Sequence, residues 1–198
     1  MGLLQGSRVY LAGPVERADD NVTWRKAIRP ILGHMGITVW DPLIKPNWFI
    51  QKCGCELTSE EQRKDLKLFE EKSRKVISNG GDVVKAYMRS TVARDTCLRL
   101  VSSCDFIICY VGGPTIGTFE ELNLANNQGK PIIFLYSDGL DSCWRYVQFD
   151  EAIHRYSINE VIEYLNRIDA GTEKVDNKQW IFLPGRWPDA SSPTARSD

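Results

Sequence analysis

The stretch of the chain richest in chemistry is YVGGPTIGTFEELNLANNQGKPIIF, residues 110–134. Here an apolar run breaks into glycines, a proline and threonines and then delivers Glu120 and Glu121. A glycine-rich loop between a strand and a helix lets the backbone turn sharply and approach a ligand, and the free N–H groups of the helix start face any anion above them. That suits a phosphate or a sugar hydroxyl. The loop is not a Walker loop, because Thr118 rather than lysine follows Gly117, and it is not GxGxxG. A carboxylate in the first helical turn is favoured by the helix dipole and held ionised, which suits a nucleophile or an electrostatic stabiliser better than a proton donor. Neighbours on a helix diverge by ~100°, so Glu120 and Glu121 cannot both face one site, and the packing face runs through Leu122 and Ala125. The ordinary preference for acids in a first turn would explain either glutamate without any chemistry.

Other reactive residue types are sparse. The only histidines are His34, which follows an apolar helix and Gly33 and reads as a helix-end residue, and His154, which nothing nearby supports as a catalyst. Cys53-Gly-Cys55 has no second cysteine pair at zinc-finger spacing, so these are ordinary thiols and no metal is expected. Cys97, Cys104, Cys109 and Cys143 fall within or beside apolar segments. With no signal-like start, this usage points to a reducing, cytoplasmic compartment.

The elements that must position the loop are legible from apolar pattern. RVYLA (Arg8 to Ala12) is a strand ending at Gly13-Pro14. TWRKAIRPILGHMG has helical spacing through Trp24, Ile28, Ile31 and Leu32, and ITVW is a second strand stopped by Asp41-Pro42. Parallel strands need that helix as their crossover. After a different stretch the pattern resumes with a helix from Ala93 to Ser103, the strand DFIICYV, the loop, a helix from Thr118 to Gln128 and the strand PIIFLY. A helix near Ile158 to Ile168 and a strand or hook at QWIFLPG follow. The fold expected is α/β: an open, mostly parallel sheet flanked by helices, Rossmann-like or flavodoxin-like in three layers, with a helical excursion after the second strand. That excursion, residues 43–89, holds the aromatic loop KPNWFIQKCGC and the charged helix TSEEQRKDLKLFEEKSRKVI. Its charge reads as a solvated face, and its departure from a strand end also suits a lid. Residues 1–190 form one domain in this reading, and 191–198 are a disordered tail.

Totals narrow the partners. The chain has 198 residues with 25 basic against 26 acidic side chains, so no basic field invites duplex nucleic acid, and no apolar run approaches membrane-spanning length. A small-molecule ligand is expected, with no membrane association.

The ordered set VYLAGP, CDFIICYV, GTFEEL and GKPIIFL resembles the nucleoside 2-deoxyribosyltransferase family and its sister deoxynucleoside 5′-monophosphate N-glycosidases, chiefly over residues 8–42 and 92–136. The loop is also similar to the PGGxGTxxE loop of the cytokinin-activating nucleoside monophosphate phosphoribohydrolases. All of these break N-glycosidic bonds. In the first family the glutamate of a Gly-Thr-x-x-Glu-Leu pattern attacks C1′ of the sugar, which implies Glu121, with Glu120 in the variable position. The family's aspartate on the preceding helix helps position the sugar and the leaving base. Asp95 is the candidate here, although the family position falls on Cys97, ~200° around the helix. Helix capping is the alternative for Asp95.

The resemblance also implies substrate contacts. Tyr10 and Gly13 belong to the first strand and its end, and Tyr10's alternation suits the pocket and the core equally. Thr115 stands where the monophosphate hydrolases offer a serine to the 5′-phosphate, with Gly112, Gly113, Gly117 and Thr118 completing an anion nest. Asn123 replaces the family's glycine after Glu-Leu, and Glu16 stands where those hydrolases carry an arginine. Of the tryptophans, Trp24 and Trp40 suit the core and Trp48 suits a lid contact. Family members assemble as dimers or larger homo-oligomers and need no cofactor. The function implied is cleavage of the N-glycosidic bond of a (deoxy)nucleoside 5′-monophosphate or nucleoside through a glutamate nucleophile, with water or a second base as acceptor. The departures at Asp95, Glu16 and Asn123 sustain the alternative of a non-catalytic nucleotide-binding or sensing module.

Overall fold

A computed structural model of the chain describes residues 2–14, 20–42, 94–111, 116–136, 153–155 and 157–184. The excursion expected at 43–89, with Trp48, lies outside these residues, as do Glu16, Gly112, Gly113, Thr115 and the tail 191–198. The elements follow in the order β1 (Arg8–Ala12), α1 (Asp20–His34), β2 (Thr38–Trp40), α2 (94–103), β3 (Phe106–Val111), α3 (Ile116–Asn127), β4 (Ile132–Tyr136), β5 (Ile153–Arg155) and α4 (Ile158–Asp169).

The strands pair in parallel as a five-stranded sheet of order β2-β1-β3-β4-β5. FIICYV and IIFLY are almost wholly buried, as continuous β-branched and aromatic runs must be when helices cover both faces of a parallel sheet. Alternation then divides the core. Val9, Leu11, Phe106, Ile108, Ile133 and Leu135 meet α1 and α4 on one face. Tyr10, Ala12, Ile107, Cys109, Ile132 and Phe134 meet α2 and α3 on the other. This is the three-layer, Rossmann-like arrangement, with the strand order of a flavodoxin-like sheet.

Each layer has local reasons to form where it does. In α1, Trp24, Ile28 and Leu32 recur at helical spacing and are buried. At the start of α4 the Ser157 hydroxyl accepts from the Glu160 amide at 3.2 Å, a cap whose loss costs about 1 kcal/mol. Over residues 179–184 the expected strand or hook is turn-rich, not a strand: Trp180 is fully buried, with ring centroids 5.6 Å from Phe106 and 5.5 Å from Phe182. Asp105 binds the first strand at its base, accepting from the Arg8 amide at 2.7 Å and pairing with the Arg8 guanidinium at 2.9 Å.

The topology sets the site's place. From β1 the chain crosses to β2 on one side, and from β3 it proceeds to β4 on the other, so the connections leave the neighbouring strands β1 and β3 in opposite directions. Divergent connections at the carboxyl ends of adjacent strands open the crevice in which sheets of this kind bind ligands.

Candidate active site at the ends of the first and third strands

Gly13 follows β1 with φ of 141°, in the region that favours glycine, and a Cβ there would lie 2.9 Å from the Tyr110 carbonyl oxygen. Only glycine lets the end of β1 press so closely on β3. Tyr10, on the same strand, is fully buried on the face shared with α2 and α3.

The helix α3 begins at Ile116, two residues ahead of the expected Thr118, so Gly117 and Thr118 are first-turn positions and not loop. No acid lies in that first turn. The glutamates occupy the second turn, where the dipole's help has largely fallen away. Thr118, Glu121, Leu122 and Ala125 form the buried stripe. A Cβ at Gly117 would meet nothing among the described residues.

The paired glutamates separate as helical geometry requires. Glu121 is 8% exposed, and its Oε1 accepts from the Tyr10 hydroxyl at 2.6 Å. Burial pushes its carboxyl from 4.5 up to about 7, against the downward pull of the Tyr10 hydrogen bond and the Arg25 charge. The site therefore resists the ionised form that the sequence pattern suggested the dipole would secure. Burial, with Glu121 and Cys97 close by, also lifts the Tyr10 phenol well above its ordinary 10, so Tyr10 remains a donor. Glu120 turns away to α2, where Arg94 binds it in a fork: Nε to Oε2 at 2.6 Å and Nη2 to Oε1 at 2.9 Å. That hydrogen-bonded guanidinium holds the Glu120 carboxyl below its usual range.

Tyr10 and Glu121 are thus brought together, with Gly13 at the adjoining strand end. Asp95 is not: its side chain is exposed, with its carboxylate 3.5 Å from Arg94. Cys97, from the same helix, lies beside the Tyr10 hydroxyl instead. Asn123 is half-buried and ~200° around α3 from Glu121. His34 closes α1, its Nδ1 hydrogen-bonded to the Pro30 carbonyl at 2.7 Å.

Sequence reasoning missed Arg25. This α1 arginine is 1% exposed, and its Nη2 donates to the Gly13 carbonyl at 3.1 Å and the Leu11 carbonyl at 3.4 Å. Nη1 donates to the Pro14 carbonyl at 3.4 Å, and Nε lies 3.6 Å from Asp41. Its guanidinium carbon stands 4.7 Å over the Trp24 ring. The available signal was periodicity: Arg25 precedes Ile28 and Leu32 on the buried stripe of α1, where a charge has no place unless it is paired.

Among the described residues no group of three or more His, Cys, Asp or Glu is placed to hold a metal ion, and no helix is long and apolar enough to cross a membrane. No protein-family model and no curated protein matches the chain. Among solved structures, that of the CMP N-glycosidase BcmB of Clostridium botulinum is similar at 16% identity with a TM-score of 0.45, covering 81% of this chain and 98% of that one. At this identity and score the similarity carries no information on activity.

Proposed function

We propose that the chain cleaves the N-glycosidic bond of a nucleoside or, by preference, a (deoxy)nucleoside 5′-monophosphate, with Glu121 as nucleophile. The observation that carries this reading is the buried Tyr10–Glu121 hydrogen bond of 2.6 Å, which ties α3 to β1, one of the two strands whose connections diverge. It supports the glutamate of the Gly-Thr-x-x-Glu-Leu pattern over its neighbour, which is bound by Arg94.

The chemistry follows from the groups present. Tyr10 holds Oε1, which leaves Oε2 to attack C1′ as the C1′–N bond breaks and its electron pair leaves with the base, which takes up a proton. A sugar ester on Glu121 results. Water, or a second base, then attacks C1′ and releases the carboxylate. The ionised carboxylate also stabilises the positive charge that develops on the sugar, and in a site with little water that stabilisation is large. Because burial raises the Glu121 carboxyl to about 7, the active ionised form should accumulate as the pH rises through neutrality. A monophosphate is favoured over a free nucleoside because the N–H groups of the first turn of α3 start at the end of this same crevice, where an anion is stabilised. Thr115 and the glycines before it, outside the described residues, would complete that cradle.

A second reading, a nucleotide-binding or sensing module without turnover, draws on the exposed position of Asp95 and the thiol of Cys97 beside Tyr10. One experiment separates the two. The protein is incubated with a panel of nucleosides and their 5′-monophosphates, free base is followed by chromatography, and a second base is added in a parallel arm. Base release that Glu121→Gln abolishes supports the enzyme, and exchange of bases identifies the acceptor. Saturable binding without release from any substrate supports the module.

A further inference from the structure

A buried ion pair is a poor stabilising device, since desolvation of its charges can exceed their attraction. The Arg25–Asp41 pair, 1% and 4% exposed, therefore calls for another reason to lie beneath the carboxyl ends of β1 and β2. Its geometry supplies one. Three of the carbonyls that Arg25 binds, those of Leu11, Gly13 and Pro14, belong to the end of the strand that carries Tyr10. Asp41 is shared, because Arg29, 37% exposed, also approaches it at 3.9 Å. Two guanidinium groups thus approach one carboxylate on the far side of the strand that carries Tyr10.

We propose that Arg25 is a positioning residue for Glu121: it fixes the end of β1 that aims Tyr10 and supplies, across that strand, the buried positive charge that the Glu121 carboxylate requires. The inference rests on the glycosidase reading for its catalytic meaning, but its electrostatic content stands apart from turnover. Arg25 acts across the strand, since α1 covers one face of the sheet and α3 the other. Among the described residues, the groups that act on Glu121 are Tyr10 from β1, Cys109 from β3, Arg25 beyond β1 and, through space, Glu120, which turns away on its own helix. Cys97 from α2 reaches it through Tyr10. Arg25 lowers the proton affinity of Glu121 in this set, and Arg94 on α2 is engaged by Glu120.

The test is a carbon-13 NMR titration of glutamate-labelled protein, with the Glu121 carboxyl assigned by its disappearance in Glu121→Gln. Arg25→Met should raise the Glu121 midpoint by on the order of one pH unit, and Arg25→Lys should restore part of that change. Asp41→Asn, which removes a competing negative charge, should move the midpoint the opposite way. Arg29→Gln, at a partly exposed position, should raise it by a smaller amount and serves if Arg25→Met fails to fold by circular dichroism. Opposite signs at Arg25 and Asp41 are not expected of residues that only support the fold. The acid limb of kcat/KM for base release should follow the midpoint. Midpoints unmoved in folded Arg25→Lys, Arg29→Gln and Asp41→Asn would overturn the inference even with turnover intact. Midpoints that move as stated, in a protein that releases no base, would support it while refuting the glycosidase reading.

Discussion

Replacing Glu121 by Gln should stabilise the protein in alkaline solution while it removes activity. Burial lifts the Glu121 carboxyl from 4.5 to about 7 in the folded chain. Between these values the folded state holds the proton more readily than the unfolded state, so stability falls as the pH rises. Below the lower value both states are protonated, and well above the upper one both have lost the proton. At about 1.4 kcal/mol for each tenfold change in proton affinity, the displacement amounts to about 3 kcal/mol lost between pH 4.5 and pH 8. Little is to be discounted for solvent screening, because the residue is 8% exposed. Gln is neutral throughout and its carbonyl can still accept from Tyr10, so the variant escapes this loss. Urea unfolding should therefore give similar stabilities near pH 4.5 and an advantage of about 3 kcal/mol for the variant near pH 8, or about 6–12 °C in Tm for a chain of this size. An advantage equal at both pH values, or none at pH 8, would refute the idea that the fold works against a buried carboxylate here.

In base-release assays Glu121→Gln should lose on the order of 10² or more in rate, whereas Glu120→Gln should keep most activity and lose at most about 1 kcal/mol of stability with its half-exposed Arg94 partner. The reverse pattern would place the wrong glutamate at the site. Tyr10→Phe removes a hydrogen bond that lowers the proton affinity of Glu121, so the acid limb of its pH–rate profile should move upward; a profile with an unmoved limb would separate Tyr10 from the chemistry. Trp180→Ala should cost about 3–5 kcal/mol in urea unfolding, since the ring is fully buried against Phe106 and Phe182; a loss below 1 kcal/mol would show that the hook contributes little to the core.

The central strands were legible to within a residue because strands buried on both faces read as uninterrupted apolar runs. Asp105 and Pro131 were included at strand edges that begin at Phe106 and Ile132. The edge strand β5 escaped, since Ile153–Arg155 is too short and mixed in character to show a period. The start of α3 was misplaced because Gly117 looked like a breaker, while the helix tolerates it in the first turn beyond Pro114 and Thr115. Within the site, the ~100° divergence of neighbours foretold that the two glutamates would part company. The resemblance singled out Glu121, which is buried against Tyr10, whereas Glu120 is partly exposed and bound by Arg94. Arg25 stayed hidden because a basic residue in an amphipathic helix passes for part of the solvated face unless its register is counted. The partnership of Cys97 with Tyr10 was out of reach, because it depends on how far α2 sits along β1, and no local pattern encodes that distance.

The Tyr10–Glu121 hydrogen bond joins positions 111 residues apart. Contacts at such separation form late, because the entropy of closing the intervening chain is spent before they return anything. Tyr10 and Glu121 can meet only after β3 has found β1, which is itself a long-range parallel pairing, Tyr10 beside Ile107. The site is in this sense a record of completed folding. No fragment that stops short of α3 can assemble it, and during synthesis the first strand must wait, without its hydrogen-bond partner, until most of the molecule has emerged.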